Sequence, residues 1–161
     1  PTIMTPSKFM KTIGMAIFGL SMVTIPASAE DHAHEKNAHK ESHADHMLEG
    51  YNAVATALFK DDLAAAKKAA GGMVKHDKNS SLAAPAKELS KSSSIDAARK
   101  SFQTLSASAI KVAKGNKDWN VMHCSMAFGN KGADWLQKAT DKKPNNPYFG
   151  AKMPHCGSLV K

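Results

Sequence analysis

The chain has 161 residues, of which 42% are hydrophobic, with only two cysteines and a formal net charge of +8 at pH 7. This length suffices for one domain with a single core. The lysines are scattered and are not interleaved with aromatic residues, which argues against a platform for nucleic acid.

Residues 1–29 have the pattern of an export signal peptide. Lys8 and Lys11 precede a mostly apolar stretch at 13–25, and Ala27-Ser28-Ala29 forms a cleavage site. The apolar stretch is shorter than the roughly 20 residues that a membrane-spanning helix needs. We therefore expect cleavage after Ala29, a mature protein in the periplasm and no membrane insertion after cleavage.

Residues 30–47 are predicted to form a disordered, histidine-rich arm, because no large apolar residue precedes Met47. The five histidines of the arm are His32, His34, His39, His43 and His46. Imidazole suits Cu(II), Zn(II) and Ni(II), so the arm is a candidate metal collector. The alternative is a leader that only keeps the protein soluble.

Cleavage after Ala29 would leave Glu30-Asp31-His32 at the amino terminus. The free amino group, two backbone amides and the His32 imidazole can then surround Cu(II) or Ni(II) in the square plane that these ions prefer. We take His32 and His34 as the candidate ligands of the arm for Cu(II) or Ni(II).

Four alanine-rich helices are predicted between residues 48 and 112, because apolar residues recur there at three-to-four spacing. Asp61 and Asp62 are suitable cap residues for the second helix, and Ser93-Ser94-Ile95-Asp96 resembles a capping box at the start of the fourth. Met73 and His76 are expected in the core or at the surface rather than as ligands. The inward-facing residues should be Leu48, Tyr51, Ala55 and Leu58; Leu63, Ala66, Ala70 and Met73; Leu82, Ala86 and Leu89; and Ile95, Ala98, Phe102, Leu105, Ala109 and Val112.

After Gly115 the helical spacing is lost, which indicates a small irregular cap with short β-strands. Strands are predicted at 119–126, 148–149 and 159–160, and a helical turn at 134–138. The last two strands would bring Cys156 back against Cys124 in a small antiparallel pair. The expected fold is mainly α, an antiparallel bundle of about four helices with this C-terminal cap. The helical metal-binding domain would span residues 48–161.

Two clusters of soft ligands lie within this cap. They read Met122-His123-Cys124-Ser125-Met126 and Met153-Pro154-His155-Cys156-Gly157. Thiolate, thioether and imidazole together suit Cu(I) better than they suit Mg²⁺, Ca²⁺ or Mn²⁺. In an extended segment Met122, Cys124 and Met126 would share one face and His123 the other. The candidate Cu(I) ligands are Cys124, Met126, Met153 and Cys156, with His123 and His155 as alternates.

Spacing alone leaves a disulfide between Cys124 and Cys156 equally open. Two cysteines in an exported protein most often pair, and a loop of this length would contribute roughly 3–4 kcal/mol.

The residues of this region resemble an uncharacterised domain found in small periplasmic proteins. The same domain is also appended to the adaptor subunits of heavy-metal RND efflux pumps. The matching motifs are Cys124-Ser125-Met126-Ala127, Trp135-Leu136, Asn146-Pro147-Tyr148-Phe149-Gly150 and Met153-Pro154-His155-Cys156-Gly157. Ser125 departs from the usual proline. The resemblance extends from about Leu48 to the C-terminus and implies copper or silver handling in the periplasm.

Signatures of common enzymes are absent from the sequence, including a phosphate-binding glycine loop, a Gly-x-Ser-x-Gly elbow and a His-Glu-x-x-His helix. We therefore expect a non-enzymatic, periplasmic copper-binding protein, a chaperone or sequestration factor for copper and silver resistance. Its partners would be the metal ion and the adaptor of an RND pump. The alternative is a disulfide-stapled interaction module that docks onto an envelope efflux complex.

Overall fold

The computed structural model describes residues 42–160, so the predicted signal peptide and residues 30–41 of the arm, with His32 and His34, lie outside the described residues. The described chain is mainly helical, with a small three-stranded antiparallel sheet towards its C-terminal end, which confirms the predicted class. In chain order the elements are α1 His43–Phe59, α2 Leu63–His76, α3 Ala83–Ser90, α4 Ile95–Val112, β1 Trp119–Cys124, α5 Ala127–Asn130, β2 Ala133–Lys138, a 3-10 turn Gly150–Lys152 and β3 Ser158–Leu159.

Helix α1 begins at His43, five residues before the predicted start of the helical domain. Its N-cap is Ser42, whose hydroxyl accepts from the Asp45 N–H at 3.2 Å. The Asp45 carboxylate accepts in return from the Ser42 N–H at 3.0 Å, which completes a capping box. Met47 is buried in the core. The last five residues assigned to the disordered arm are therefore helical, because this cap starts the helix earlier than the apolar pattern indicates.

Helices α2 and α4 begin within the segments predicted for them, and of the candidate cap residues Asp62 and Ser94 are the ones used. Asp62 accepts from the Ala65 N–H at 2.8 Å, and Ser94 accepts from the Ala97 N–H at 3.1 Å. Helix α1 packs against α2 and α4, while α3 packs against α2 and α4. Most of the predicted inward-facing residues are buried, with Leu63, Ile95 and Val112 only partly so. Within residues 42–160, no helix is long and apolar enough to cross a membrane.

The sheet has the strand order β2-β1-β3, with β1 antiparallel to both neighbours. Residues 134–138, predicted as a helical turn, belong to strand β2 instead. They are extended because all six residues of β2 pair with β1, with Trp135 opposite Met122. The predicted strand at 148–149 is also wrong, since the chain makes a turn there before Gly150–Lys152.

A buried chain of hydrogen bonds fastens β2 to the helices. The Leu136 N–H donates to the Tyr51 hydroxyl at 3.0 Å, and that hydroxyl lies 2.8 Å from Ser106 Oγ. Ser106 and Tyr148 both donate to the Asp134 carbonyl, at 2.9 and 2.5 Å. Burial raises the pKa of Tyr51 well above its usual value, so the hydroxyl stays protonated and able to donate.

A second polar cluster centres on Arg99 of α4, which is only 6% exposed. Its guanidinium donates to Asp61 Oδ1 at 2.5 Å and to the carbonyls of Leu58 and Pro147 at 3.1 and 3.0 Å. Asp61 also accepts from the Ala151 N–H at 2.9 Å. That backbone bond and the Arg99 guanidinium hold the pKa of Asp61 below its usual value. The cluster ties the end of α1, helix α4 and the 146–151 loop together.

Candidate functional site

The two cysteines of the chain lie side by side, with their sulfurs 2.8 Å apart. Cys124 is the last residue of β1 and is fully buried, while Cys156 is partly buried and precedes β3 by two residues. Pairing of β3 with β1, with Ser158 opposite His123, brings Cys156 to this position. The predicted return of Cys156 to Cys124 is observed, but only the C-terminal one of the two strands predicted for it is present.

Both cysteines are unbonded. A disulfide requires a sulfur separation of about 2.05 Å. Two thiolates bound to one ion at about 2.3 Å each stand about 3.7 Å apart in a tetrahedral arrangement. The observed separation of 2.8 Å lies between these two values. With an oxidant to take up two electrons, and loss of the two thiol protons, a small inward movement would give a disulfide, whereas an outward movement of about 1 Å would admit a metal ion.

The sulfur of Cys124 raises the pKa of the Cys156 thiol above its usual value, and burial adds to this effect. A second negative charge beside Cys124 is unfavourable in a partly desolvated site. The backbone N–H of Met126 bonds to Cys156 and opposes the shift. A raised pKa makes Cys156 a poor nucleophile, since only the thiolate attacks. A cation that takes the place of the proton would relieve the repulsion between the two sulfurs.

The methionines Met126 and Met153 both adjoin the cysteine pair through the backbone. The Met126 N–H bonds to Cys156, and the Cys156 N–H donates to the Met153 carbonyl at 3.3 Å. Strand β1 ends at Cys124, so Met126 lies in a turn, with 48% of its surface exposed, rather than on the Cys124 face of a strand. The expected alternation therefore fails at Met126, because the chain turns at Ser125.

The two alternate ligands, His123 and His155, are held by acceptors of their own. His123 Nδ1 donates to the Asp134 carboxylate at 2.6 Å, and strand alternation puts this imidazole on the opposite face from Cys124. His155 is exposed, and its Nδ1 donates to the Pro144 carbonyl at 2.7 Å. Each ring thus keeps Nε2 as its remaining nitrogen, but His123 is not brought to the cysteine pair.

Asn146 positions the loop that carries Cys156, and the sequence reasoning missed this role. Its side chain is fully buried, donates to the Cys156 carbonyl at 2.6 Å and accepts from the Tyr148 N–H at 2.8 Å. Its backbone N–H donates to the Pro154 carbonyl at 2.9 Å. The bond from Tyr148 is the two-residue turn typical of asparagine, which the Asn-Pro pair signals in the sequence.

Gly157 allows Trp135 to cover the loop next to Cys156. A Cβ atom at this position would lie 2.5 Å from Cη2 of Trp135, and the backbone has φ of +151°. Any larger residue would push the indole away or displace the loop. Trp135 is 1% exposed, so the loop next to Cys156 has a buried apolar neighbour at Gly157.

With the side chains placed as they are in residues 42–160, no three or more His, Cys, Asp and Glu side chains are grouped so that they could hold a metal ion. Comparisons of the chain with protein-family models, with curated proteins and with solved structures gave no match.

Proposed function

We propose that the protein binds Cu(I) through Cys124 and Cys156 and acts as a copper chaperone or sequestration factor. The observation that carries this proposal is the 2.8 Å separation of the two sulfurs, each in a segment that also contains a methionine. Soft thiolate and thioether sulfurs select Cu(I) over the harder divalent ions. Met126 and Met153 adjoin Cys156 and are the further ligands we propose.

The surroundings of the pair support a binding role rather than a catalytic one. Binding requires both thiols to lose their protons, and the cation then offsets the repulsion that raises the pKa of Cys156. Asn146 bonds to the Cys156 carbonyl and Trp135 lies close to Gly157, and this support reduces the ordering that the ion must impose. Met126 remains 48% exposed, which leaves a route for transfer of the ion to a partner.

The cellular setting that we propose is the periplasm, because residues 1–29 have the pattern of a cleaved signal peptide. The resemblance of the 124–157 motifs to the domain of RND adaptor proteins suggests that such an adaptor receives the metal. The His-rich segment with His32 and His34 would collect Cu(II) or Ni(II) as a separate site. Cargo would then be passed on for copper or silver efflux.

The test is a Cu(I) competition assay with a chromogenic chelator on reduced protein. We expect one Cu(I) per chain, with both thiols protected from alkylation. Replacement of both Cys124 and Cys156 by serine should weaken binding at least about a hundredfold, equivalent to about 2.7 kcal/mol. Met126→Leu and Met153→Leu should each weaken it less. Equal affinity in the parent and in the double serine variant would refute this assignment.

A second candidate function is a disulfide-stapled module that docks onto an envelope efflux complex. It is favoured by the same short separation, since the sulfurs need to move by less than about 1 Å to bond. Thiol counting on protein isolated from the periplasm separates the two candidates. A quantitative disulfide with no copper uptake after reduction favours the module, whereas two thiols protected by copper favour the metal-binding function.

We also interpret helices α1 to α4 as an antiparallel four-helix bundle. Each helix packs against the next, α4 returns to α1, and the connections between them are short. In this interpretation the sheet and its cysteine pair form a cap on one side of the bundle.

A further inference from the structure

Three histidines come together where α1 begins and α2 ends, far from the cysteine pair in sequence. His43 and His46 lie one turn apart on α1, and His76 is the last residue of α2. The ring centres of His43 and His76 are 4.9 Å apart, and those of His46 and His76 are 5.4 Å apart. The sequence pattern assigned the first two to a disordered arm and the third to the core or surface. The capping box of α1 brings them to one place.

Asp77 orients the first of these rings. His43 Nε2 lies 2.7 Å from Asp77 Oδ2, and a carboxylate can only accept this bond, so Nε2 carries the proton. The Nδ1 atom of His43 is then the nitrogen with a lone pair for a cation. A carboxylate that holds the other nitrogen of an imidazole is the usual support of a metal-binding histidine.

The ring separations suit ligation of one ion. With metal–nitrogen bonds of about 2.1 Å, two imidazoles on one tetrahedral ion have centres about 5 Å apart. The observed 4.9 and 5.4 Å agree with this distance. The rings of His43 and His76 are stacked, with planes 21° apart, so their nitrogens do not yet converge on one point. All three side chains are exposed, and rotation about the side-chain torsions, which are soft at an imidazole, can turn them inward.

We infer that His43, His46 and His76 form a further metal site, for a divalent ion that prefers imidazole, such as Ni(II) or Zn(II), with Asp77 as the positioning residue. This site uses different side chains and harder ligands than the cysteine pair, so it does not depend on the proposed Cu(I) function. It bridges residues separated by about thirty positions in the chain. An ion bound there therefore joins α1 to α2 and binds only the folded protein.

This last property supplies the test. A ligand that binds only the folded state raises the melting temperature, whereas histidines of a contiguous segment bind the unfolded chain as well and give little shift. We would measure thermal unfolding of the full reduced chain with and without Ni(II). At Ni(II) about a hundredfold above its dissociation constant, the parent should melt roughly 5–10 °C higher.

His76→Ala and His43→Ala should each abolish the shift, and Asp77→Asn should reduce it. His155→Ala is the matched control, since it removes an exposed histidine elsewhere, and it should keep the full shift. An unchanged shift in His76→Ala would place the metal at other residues and overturn the inference. No shift in the parent at saturating Ni(II) would overturn it too, and would leave the three rings as a stacked surface cluster.

Discussion

The helical region, residues 43–112, and the C-terminal region, residues 119–160, are held in place by different forces. The helical region buries a repeating row of apolar side chains, and its caps bond to groups only three residues away. The C-terminal region is fixed by polar groups that belong to the helices, namely Tyr51, Arg99 and Ser106. The region that carries the cysteine pair therefore depends on a few long-range hydrogen bonds as well as on the apolar core.

The strongest test of this comparison removes Arg99, which joins the two regions. Arg99→Met should destabilise the protein by about 3 kcal/mol, because the buried carbonyls of Leu58 and Pro147 lose their hydrogen-bond donor and Asp61 loses its ionic partner. We choose the low end of the usual range because the Asp61 side chain is 42% exposed and can be hydrated. Urea unfolding followed by circular dichroism measures this loss.

Lys100→Ala is the control, since this exposed neighbour on α4 should change stability by less than about 0.5 kcal/mol. Arg99→Lys keeps the positive charge but lacks the planar guanidinium, so it should lose less stability than Arg99→Met but remain less stable than the parent. Full stability in Arg99→Met would mean that the C-terminal region is held by apolar packing after all.

A more local test uses the adjacent residues Asn146 and Asn145. Asn146→Ala should cost about 2 kcal/mol, because the Cys156 carbonyl and the Tyr148 N–H lose their buried partner. It should also weaken Cu(I) binding at least about tenfold, the size of effect usual for residues that support metal ligands. Chelator competition and urea unfolding are the two measurements.

Asn145→Ala is the control for Asn146→Ala, since it makes the same substitution at the neighbouring residue. The Asn145 side chain makes only a long bond of 3.4 Å to Asp141, and its backbone bond to Gln137 survives the change. It should leave both stability and Cu(I) affinity close to those of the parent. If both asparagine variants behave alike, the proposed support of Cys156 by Asn146 is wrong.

The smallest effect is expected in the helical region. Ser94→Ala removes the N-cap of α4 and should cost about 1 kcal/mol, with Cu(I) affinity unchanged because the site is held elsewhere. Ser93→Ala, at the preceding exposed serine, should cost less. A loss of Cu(I) affinity in Ser94→Ala that exceeds its loss of stability would contradict the separation between the two regions.

Much of the helical region could be predicted because its signals are local. The spacing of Leu48, Tyr51 and Leu58 marks one face, and Asp62 and Ser94 mark helix starts within three residues of their partners. The start at His43 was missed because the prediction weighed apolar spacing above the Ser42–Asp45 capping box. That error also hid the contact of His43 and His46 with His76.

The C-terminal region was predicted less well for a physical reason. The proximity of Cys124 and Cys156 was anticipated because two strands at the ends of the segment can pair. Strand β2 was missed because its extended form depends on pairing with β1 rather than on its own residues. The role of Asn146 depends on a bond to a carbonyl ten residues away, which residue type alone does not specify.

Trp135 allows the cysteine loop to be followed by tryptophan fluorescence. The chain has two tryptophans, and this one is buried with its indole against Gly157, next to Cys156. Trp119, the other one, lies under the Lys138 ammonium at 4.2 Å and away from that loop. Emission of a Trp119→Phe variant therefore comes from Trp135 alone. The wavelength and intensity of that fluorescence should change when the cysteine loop changes conformation. The protein therefore has an intrinsic fluorescent probe of copper binding and thiol oxidation.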